Sequence, residues 1–225
     1  MALYTTDWRT IMRYVSALFA ASLLMSSCCN SCKNEMTRYH EDGRAKPAVA
    51  IASMIDTTSF DVPWSLSEEL TSMVVKRIAD TKSIFVQSID DFSSSKNPFA
   101  QDLSWIKHEF AGQEFVVFME LVQHDLTPSA KGKKKSASNQ EAANNLNMAV
   151  RVRVIDLRGH TPKIVLQELV KESYYIPRSL LPTDYNRTTW GSEDYRTSPM
   201  GIAHSQLAQE ISSRLNDYIL LAKSR

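Results

Sequence analysis

An apolar run from Val15 to Met25, opened by Arg13 and closed by Ser26-Ser27-Cys28, decides which part of this chain can fold as a domain. The run is about 11 residues long, the length of a signal-peptide core and well short of the roughly 20 needed to span a bilayer as a helix. Basic residue, apolar run and small-residue pair come in the order of a secretory signal peptide. Ser26 and Ser27 fit the narrow cleft of a signal peptidase, and Cys28 then becomes the acylated first residue of the mature chain. Cys29 is the poorer modification site, because the bulkier Cys28 would precede it. A short core helix and an uncleaved anchor are the competing readings. The first eleven residues include Asp7 and Trp8, which suit the start of a signal peptide poorly, so Met12 competes with Met1 as the true start.

This reading divides the chain into a signal peptide at 1–27, a lipidated flexible tether at 28–46 and a folded domain at 47–225. Residues 29–46 are polar and charged without periodicity. As a coil of about 18 residues they would span roughly 20–25 Å. Acyl chains bury CH2 groups at about 0.8 kcal/mol each, so several of them hold a protein to a membrane while leaving its polypeptide outside the hydrocarbon.

All three cysteines lie at 28, 29 and 32. The domain therefore has no disulfide framework, and packing alone must stabilise it. Cys29-Asn30-Ser31-Cys32 has C-x-x-C spacing but neither the helix start of a redox motif nor the second ligand pair of a zinc site. The formal net charge of +1 excludes the strongly basic character of a dedicated nucleic-acid binder.

Past Pro47 the patterns are those of an α+β fold. Ala48 to Ile55 reads as a buried strand, and Asp56 to Ser59 as a turn. A helix follows, capped by Ser65 or Ser67, with Glu68 and Glu69 at its positive end and Leu66, Leu70, Met73, Val74 and Ile78 on one face. Ser83 to Ser88 reads as a strand and Phe99 to Phe110 as a helix. Glu114 to Leu126 places Phe115, Val117, Met119 and Leu121 on one face. Asn147 to Leu157 alternates, with Met148, Val150, Val152 and Val154 inward and Arg151 and Arg153 outward. Lys163 to Tyr175 completes a hairpin. A closing helix runs from about Met200 to Lys223 with Ile202, Leu207, Ile211, Leu215 and Ile219 buried. The order is β-α-β-α-β-β-β-α: one domain with helices packed on a mostly antiparallel sheet, part of which faces solvent.

Two resemblances rest on these residues. MRYVSALFAASLLMSSCCNSCKN and the domain after it resemble a lipoprotein family of chlamydiae. AVAIASMIDTT, the capped helix SLSEELTSMVVKRIADT, SIFVQS and the closing SPMGIAHSQLAQEISSRLNDYIL resemble periplasmic lipoprotein domains of the penicillin-binding-protein activator and curli-secretion type, over about residues 48–88 and 200–221. The resemblance implies a non-enzymatic domain that binds other envelope proteins or assembles with them. It carries over no catalytic residue.

The residues themselves show no catalytic or phosphate-binding motif. The five histidines, at 40, 108, 124, 160 and 204, have no metal spacing, and six glycines are few for a nucleotide cradle. No cofactor or metal is expected. Two connections stand out. Thr127 to Asn145 carries Lys131, Lys133, Lys134 and Lys135, which would touch anionic headgroups or cell-wall polymer, or simply be solvated. Pro177 to Pro199 carries Tyr185, Arg187, Trp190 and Tyr195, residue types that dominate interface energies. Those rings either form a patch for a partner or fold back over the core. The expectation is a lipid-anchored envelope protein, at the outer membrane rather than the inner because Cys29 is not the Asp that retains enterobacterial lipoproteins inside. It would be an adaptor for another envelope protein, or else bind a lipid or cell-wall component in a groove. The partners expected are thus a membrane and an envelope protein, with no nucleic acid.

Overall fold

Ser65 starts the first helix. Its hydroxyl accepts the Glu68 N–H, Glu68 and Glu69 occupy the first turn and Arg77 the last, so charge and cap agree with the helix dipole. The structure, a computed structural model, describes residues 38–89, 96–128, 144–177, 184–185 and 187–225. In these, α1 is Leu66–Asp80, α2 Ile106–Glu109, α3 Glu193–Thr197 and α4 Pro199–Lys223. The strands are β1 (Ala48–Ala52), β2 (Ile55–Asp56), β3 (Phe85–Ile89), β4 (Phe115–Pro128), β5 (Asn144–Asp156) and β6 (Lys163–Ile176).

The strands form one mixed sheet in the order β3-β1-β4-β5-β6, with β2 beside β4. The expected α+β architecture holds, and β4-β5-β6 is the expected antiparallel meander. The first half is parallel instead: β1 lies between β3 and β4, and α1 is the crossover from β1 to β3. Short β2 also pairs parallel with β4, where Thr57 N–H and Oγ1 both donate to Leu121 O.

The inner face of the sheet packs against α1 and α4. Phe115, Val117, Met119 and Leu121 of β4 and Met148, Val150, Val152 and Val154 of β5 meet Leu70, Val74, Leu207, Ile211 and Leu215 there. Met73 sits half-buried at the rim, and Ile202 is 46% exposed rather than part of the α4 stripe. The rest of the expected stripe, Leu207, Ile211, Leu215 and Ile219, is buried, and Met200 and Ala203 take the place of Ile202 at its start.

Among the described residues the outer face is covered at one end only. Ala50, Val116, Phe118 and Ile155 pack there against Ile106 and Phe110, with Phe99, Leu103 and Trp105 at the margin. The helix expected over 99–110 is reduced to Ile106–Glu109. Arg153 explains why. Expected outside in solvent, it is buried, and its guanidinium donates to the carbonyls of Pro98 and Ala100 at 2.8 Å and of Phe99 at 2.9 Å. Those carbonyls point at one cation and are lost to a helix. Asn97 and Asp102 also turn the chain by accepting the N–H two residues on.

The segment before β1 differs from expectation as well. Residues 38–46 are folded: Tyr39 bridges Ala45, Lys46 N donates to Arg38 O at 2.9 Å, and the Arg38 guanidinium lies 4.9 Å from the Phe85 ring centre. The domain thus starts about nine residues earlier than its hydrophobic pattern does.

Candidate functional site

The aromatic segment after β6 closes over the start of α1. Ser192 caps α3 and Ser198 caps α4, so the chain turns twice within seven residues. Gly201 permits that packing: a Cβ there would lie 2.0 Å from Tyr195 O. The turn carries Tyr195 into the core, where it is fully buried. Tyr185 and Trp190 are partly buried against the same core, while Arg187 is exposed. The four residues therefore do not form one open aromatic patch. Tyr185 and Tyr195 both meet Trp64 edge to face, with ring centres 6.3 and 5.3 Å away.

Tyr195 anchors a polar cluster that sequence reasoning missed. Its hydroxyl donates to Glu69 Oε1 and lies 2.8 Å from His204 Nδ1. His204 Nδ1 is 2.8 Å from the same Glu69 oxygen, and His204 Nε2 is 2.8 Å from His124 Nε2. Trp64 Nε1 donates to the other Glu69 oxygen at 2.7 Å. Glu69 and His204 are completely buried, and Phe60 packs on His124 with ring centres 4.2 Å apart. One proton fits between the two facing histidine nitrogens, so one ring donates and the other accepts. Burial, reinforced by His204, pushes His124 down to about 3, which keeps it neutral. Burial and the Glu69 charge push the Tyr195 hydroxyl well above its ordinary value, so it stays a donor. The cluster joins α1, α3, α4, β4 and the 60–64 segment.

The sequence does hold a trace of it. His204 stands on the apolar stripe of α4 between Met200 and Leu207, and His124 faces inward beyond the β-bulge at Leu121/Gln123. Glu69, read as a dipole partner, lies beside Leu70 on the buried side of α1.

Beside the cluster, a groove of about 740 Å³ opens between α1 and the ends of β1 and β3. Ser53, Ser65, Ser67, Thr71, Ser88 and Trp190 are among its lining residues. Several hydroxyls are already committed: Ser65 to the helix cap, Ser67 to Met54 O, and Thr71 to Met54 N at 2.8 Å. Neither Glu69 nor His204 lines it. It is a hydroxyl-lined surface groove, unlike the deep apolar cavity expected of a lipid carrier.

The other unusual surface is the far half of the meander. The Phe99 ring reaches over Arg151, 4.5 Å from its guanidinium, and beyond that the outer face has no covering segment among the described residues. Arg151 pairs there with Glu120, and Leu169 and Tyr175 are 45% and 59% exposed. Strand β6 is also the last strand of the sheet, so among the described residues one of its edges has no strand beside it. Among the described residues no group of three His, Cys, Asp or Glu side chains could hold a metal ion, and no helix is long and apolar enough to cross a membrane. Cys28 and the lysines at 131, 133, 134 and 135 lie outside the described residues.

A family model described as a family of unknown function (DUF7499) matches residues 35–223, a span that begins close to the folded segment at 38. No curated protein matches the chain. Among solved structures it is similar to the hypothetical protein CT253 from Chlamydia trachomatis, with 24% identity, a TM-score of 0.60, and 78% of this chain and 98% of that one covered. That likeness is one of fold. Weaker similarity reaches a minor lipoprotein from Acinetobacter baumannii (9% identity, TM-score 0.36, 75% of this chain and 90% of that one). It also reaches lipoprotein GNA1162 from Neisseria meningitidis (11% identity, TM-score 0.31, 74% and 99%).

Proposed function

This chain belongs to the DUF7499 family of unknown function, and we propose that it is a lipid-anchored protein of the bacterial cell envelope whose domain is a non-enzymatic adaptor for another envelope protein. The anchor is read from Val15–Met25 followed by Ser26-Ser27-Cys28. The adaptor reading rests on one observation: among the described residues β6 is a 14-residue edge strand beside an uncovered part of the outer sheet face. An extended segment of a partner can add to such an edge, with backbone hydrogen bonds supplying affinity and Leu169 and Tyr175 supplying contacts. Lys163, Glu168, Lys171 and Glu172 along β6 discourage indiscriminate pairing. Cys29 after the modified residue favours the outer membrane.

A second reading is binding of a cell-wall component. The hydroxyl-lined groove beside Trp190 supports it, since hydroxyls and an indole face suit a polar, ring-bearing ligand.

Metabolic labelling with a clickable fatty acid tests the anchor. Label on the wild-type chain and none on Cys28→Ser is the expected result, and equal labelling of both would overturn it. For the two binding modes, Leu169→Asp should abolish capture of the partner and leave binding of soluble wall fragments unchanged. Trp190→Ala should do the reverse if the groove is the site.

A further inference from the structure

One end of the sheet gathers the place where the folded domain begins, the starts of three strands and the end of α4. Ala48 of β1 pairs with Phe85 of β3, Glu114 N donates to Ala48 O, and Leu157 N donates to Glu114 O. Asp156 pairs with Lys163 across the β5–β6 turn, and Lys107 Nζ donates to Gly159 O at 2.6 Å. Lys223 binds Glu114 at 2.7 Å, which brings the end of α4 to the same place.

We propose that this end is a docking surface for anionic lipid headgroups. The inference rests on the reading that Cys28 is acylated. Residues 29–37 alone separate Cys28 from folded Arg38. Such a length reaches about 35 Å fully extended and about 17 Å on average as a coil. Strand β4 by itself is about 45 Å long at its usual rise per residue. A reach of about 35 Å cannot span the length of that strand, so the sheet cannot stand with its far end against the bilayer and this end pointing away.

The charges suit that placement. Three acids here are paired: Asp42 with Arg44, Glu114 with Lys223 and Asp156 with Arg158. Arg38, Lys82, Lys107, Lys163 and Arg225 are exposed, against Glu41, Asp80, Glu109 and Asp217. At the opposite end Glu193 pairs with Arg196, and Asp56, Asp61, Glu68 and Asp194 are exposed, against Arg187. The surface is also partly apolar. Lys163 and Arg225 flank Ile164, Tyr218 and Leu221 in a groove of about 340 Å³, and Leu221 is 50% and Tyr39 60% exposed. Cations around tyrosine and aliphatic side chains match a headgroup layer over acyl chains. Pro128 and Asn144, between which the lysines at 131–135 fall in the sequence, are at the other end of the sheet.

Hydrogen exchange tests this on the full chain isolated from membranes. Intact mass records whether it is acylated, and the protein is placed on vesicles of phosphatidylcholine alone or mixed with phosphatidylglycerol. Amides of 158–165 and 218–225 should exchange at least about five-fold more slowly on the anionic vesicles, the factor one cation supplies at such a surface. High salt should remove the difference. Lys82→Glu/Lys107→Glu/Lys163→Glu should abolish it, and Arg187→Glu/Arg196→Glu should not. Equal exchange of the acylated chain on both vesicles, or full protection in the triple variant, overturns the proposal. A chain without acyl mass overturns the anchor reading instead. The surface is then judged by whether anionic vesicles still slow the same amides relative to free solution; if they do not, it is overturned too.

Discussion

On the inner face of the sheet, α1 and α4 bury an apolar layer, and the polar groups within it are matched to each other: Glu69, Tyr195, His204, His124 and Trp64. On the outer face Arg153 holds a short irregular segment over one end, and among the described residues nothing covers the rest of the face. The first arrangement is mutual, because each removal orphans groups on other elements. The second is local, because its loss frees one segment. A domain built this way can lose or exchange contacts on its outer side without loosening the fold, which suits a face meant for a partner.

Substitutions in the sealed cluster should break the contrast most strongly. Glu69→Ala leaves the Tyr195 hydroxyl, the Trp64 N–H and His204 without their shared acceptor. It should lower stability by about 3–5 kcal/mol in urea unfolding. A loss below about 1 kcal/mol would mean that the cluster is not the tie described here.

The same cluster predicts a pH dependence. His124 is held neutral in the folded state down to about 3, while in the unfolded chain it takes up a proton near 6.5. Between those values the unfolded state binds more protons, so acidification weakens the fold, by up to about 1.4 kcal/mol per pH unit from this group. His124→Gln should flatten the slope between pH 6.5 and 3. Tyr195 has the opposite sign at high pH: its folded value is raised, so its contribution is present below about 10 and lost as pH climbs above.

Gly201→Ala should cost about 3 kcal/mol by forcing a Cβ onto Tyr195 O. Retention of wild-type stability would show that α3 can shift freely. Arg153→Ala should cost about 2 kcal/mol, and its signature is spatial: faster amide exchange over 96–110 with the inner core still protected. Global loosening instead would put Arg153 in the same class as Glu69 and erase the distinction. Smallest of all, Leu169→Ala on the bare face should change stability by less than about 0.5 kcal/mol.

The legible parts of this molecule are those fixed by neighbours in sequence. The Ser65 cap, the alternation in β4 to β6 and the stripe of α4 are local patterns, and they placed those elements within a few residues. Arg153 looked outward by parity and is outward, yet it is buried, because what covers it comes from residues 98–100 and carries no period of its own. Residues 38–46 carry the composition of a tether for the same reason: backbone bonds and the Arg38–Phe85 contact leave no hydrophobic repeat. Tyr195 presented the two-way choice between partner and core. Glu69, 126 residues away in sequence, decides it, and only the fold brings that acceptor to the hydroxyl.

The adaptor reading stands or falls on whether the bare face and edge of the meander meet another molecule in the cell. A photo-crosslinking amino acid placed at 169 or 175, on the exposed outer face of β6, should give one discrete adduct common to both positions. The same residue at 202, exposed on α4 across the molecule, should give none. Identical crosslinking from all three positions, or none from 169 and 175 while the protein is folded and at the envelope, would contradict it.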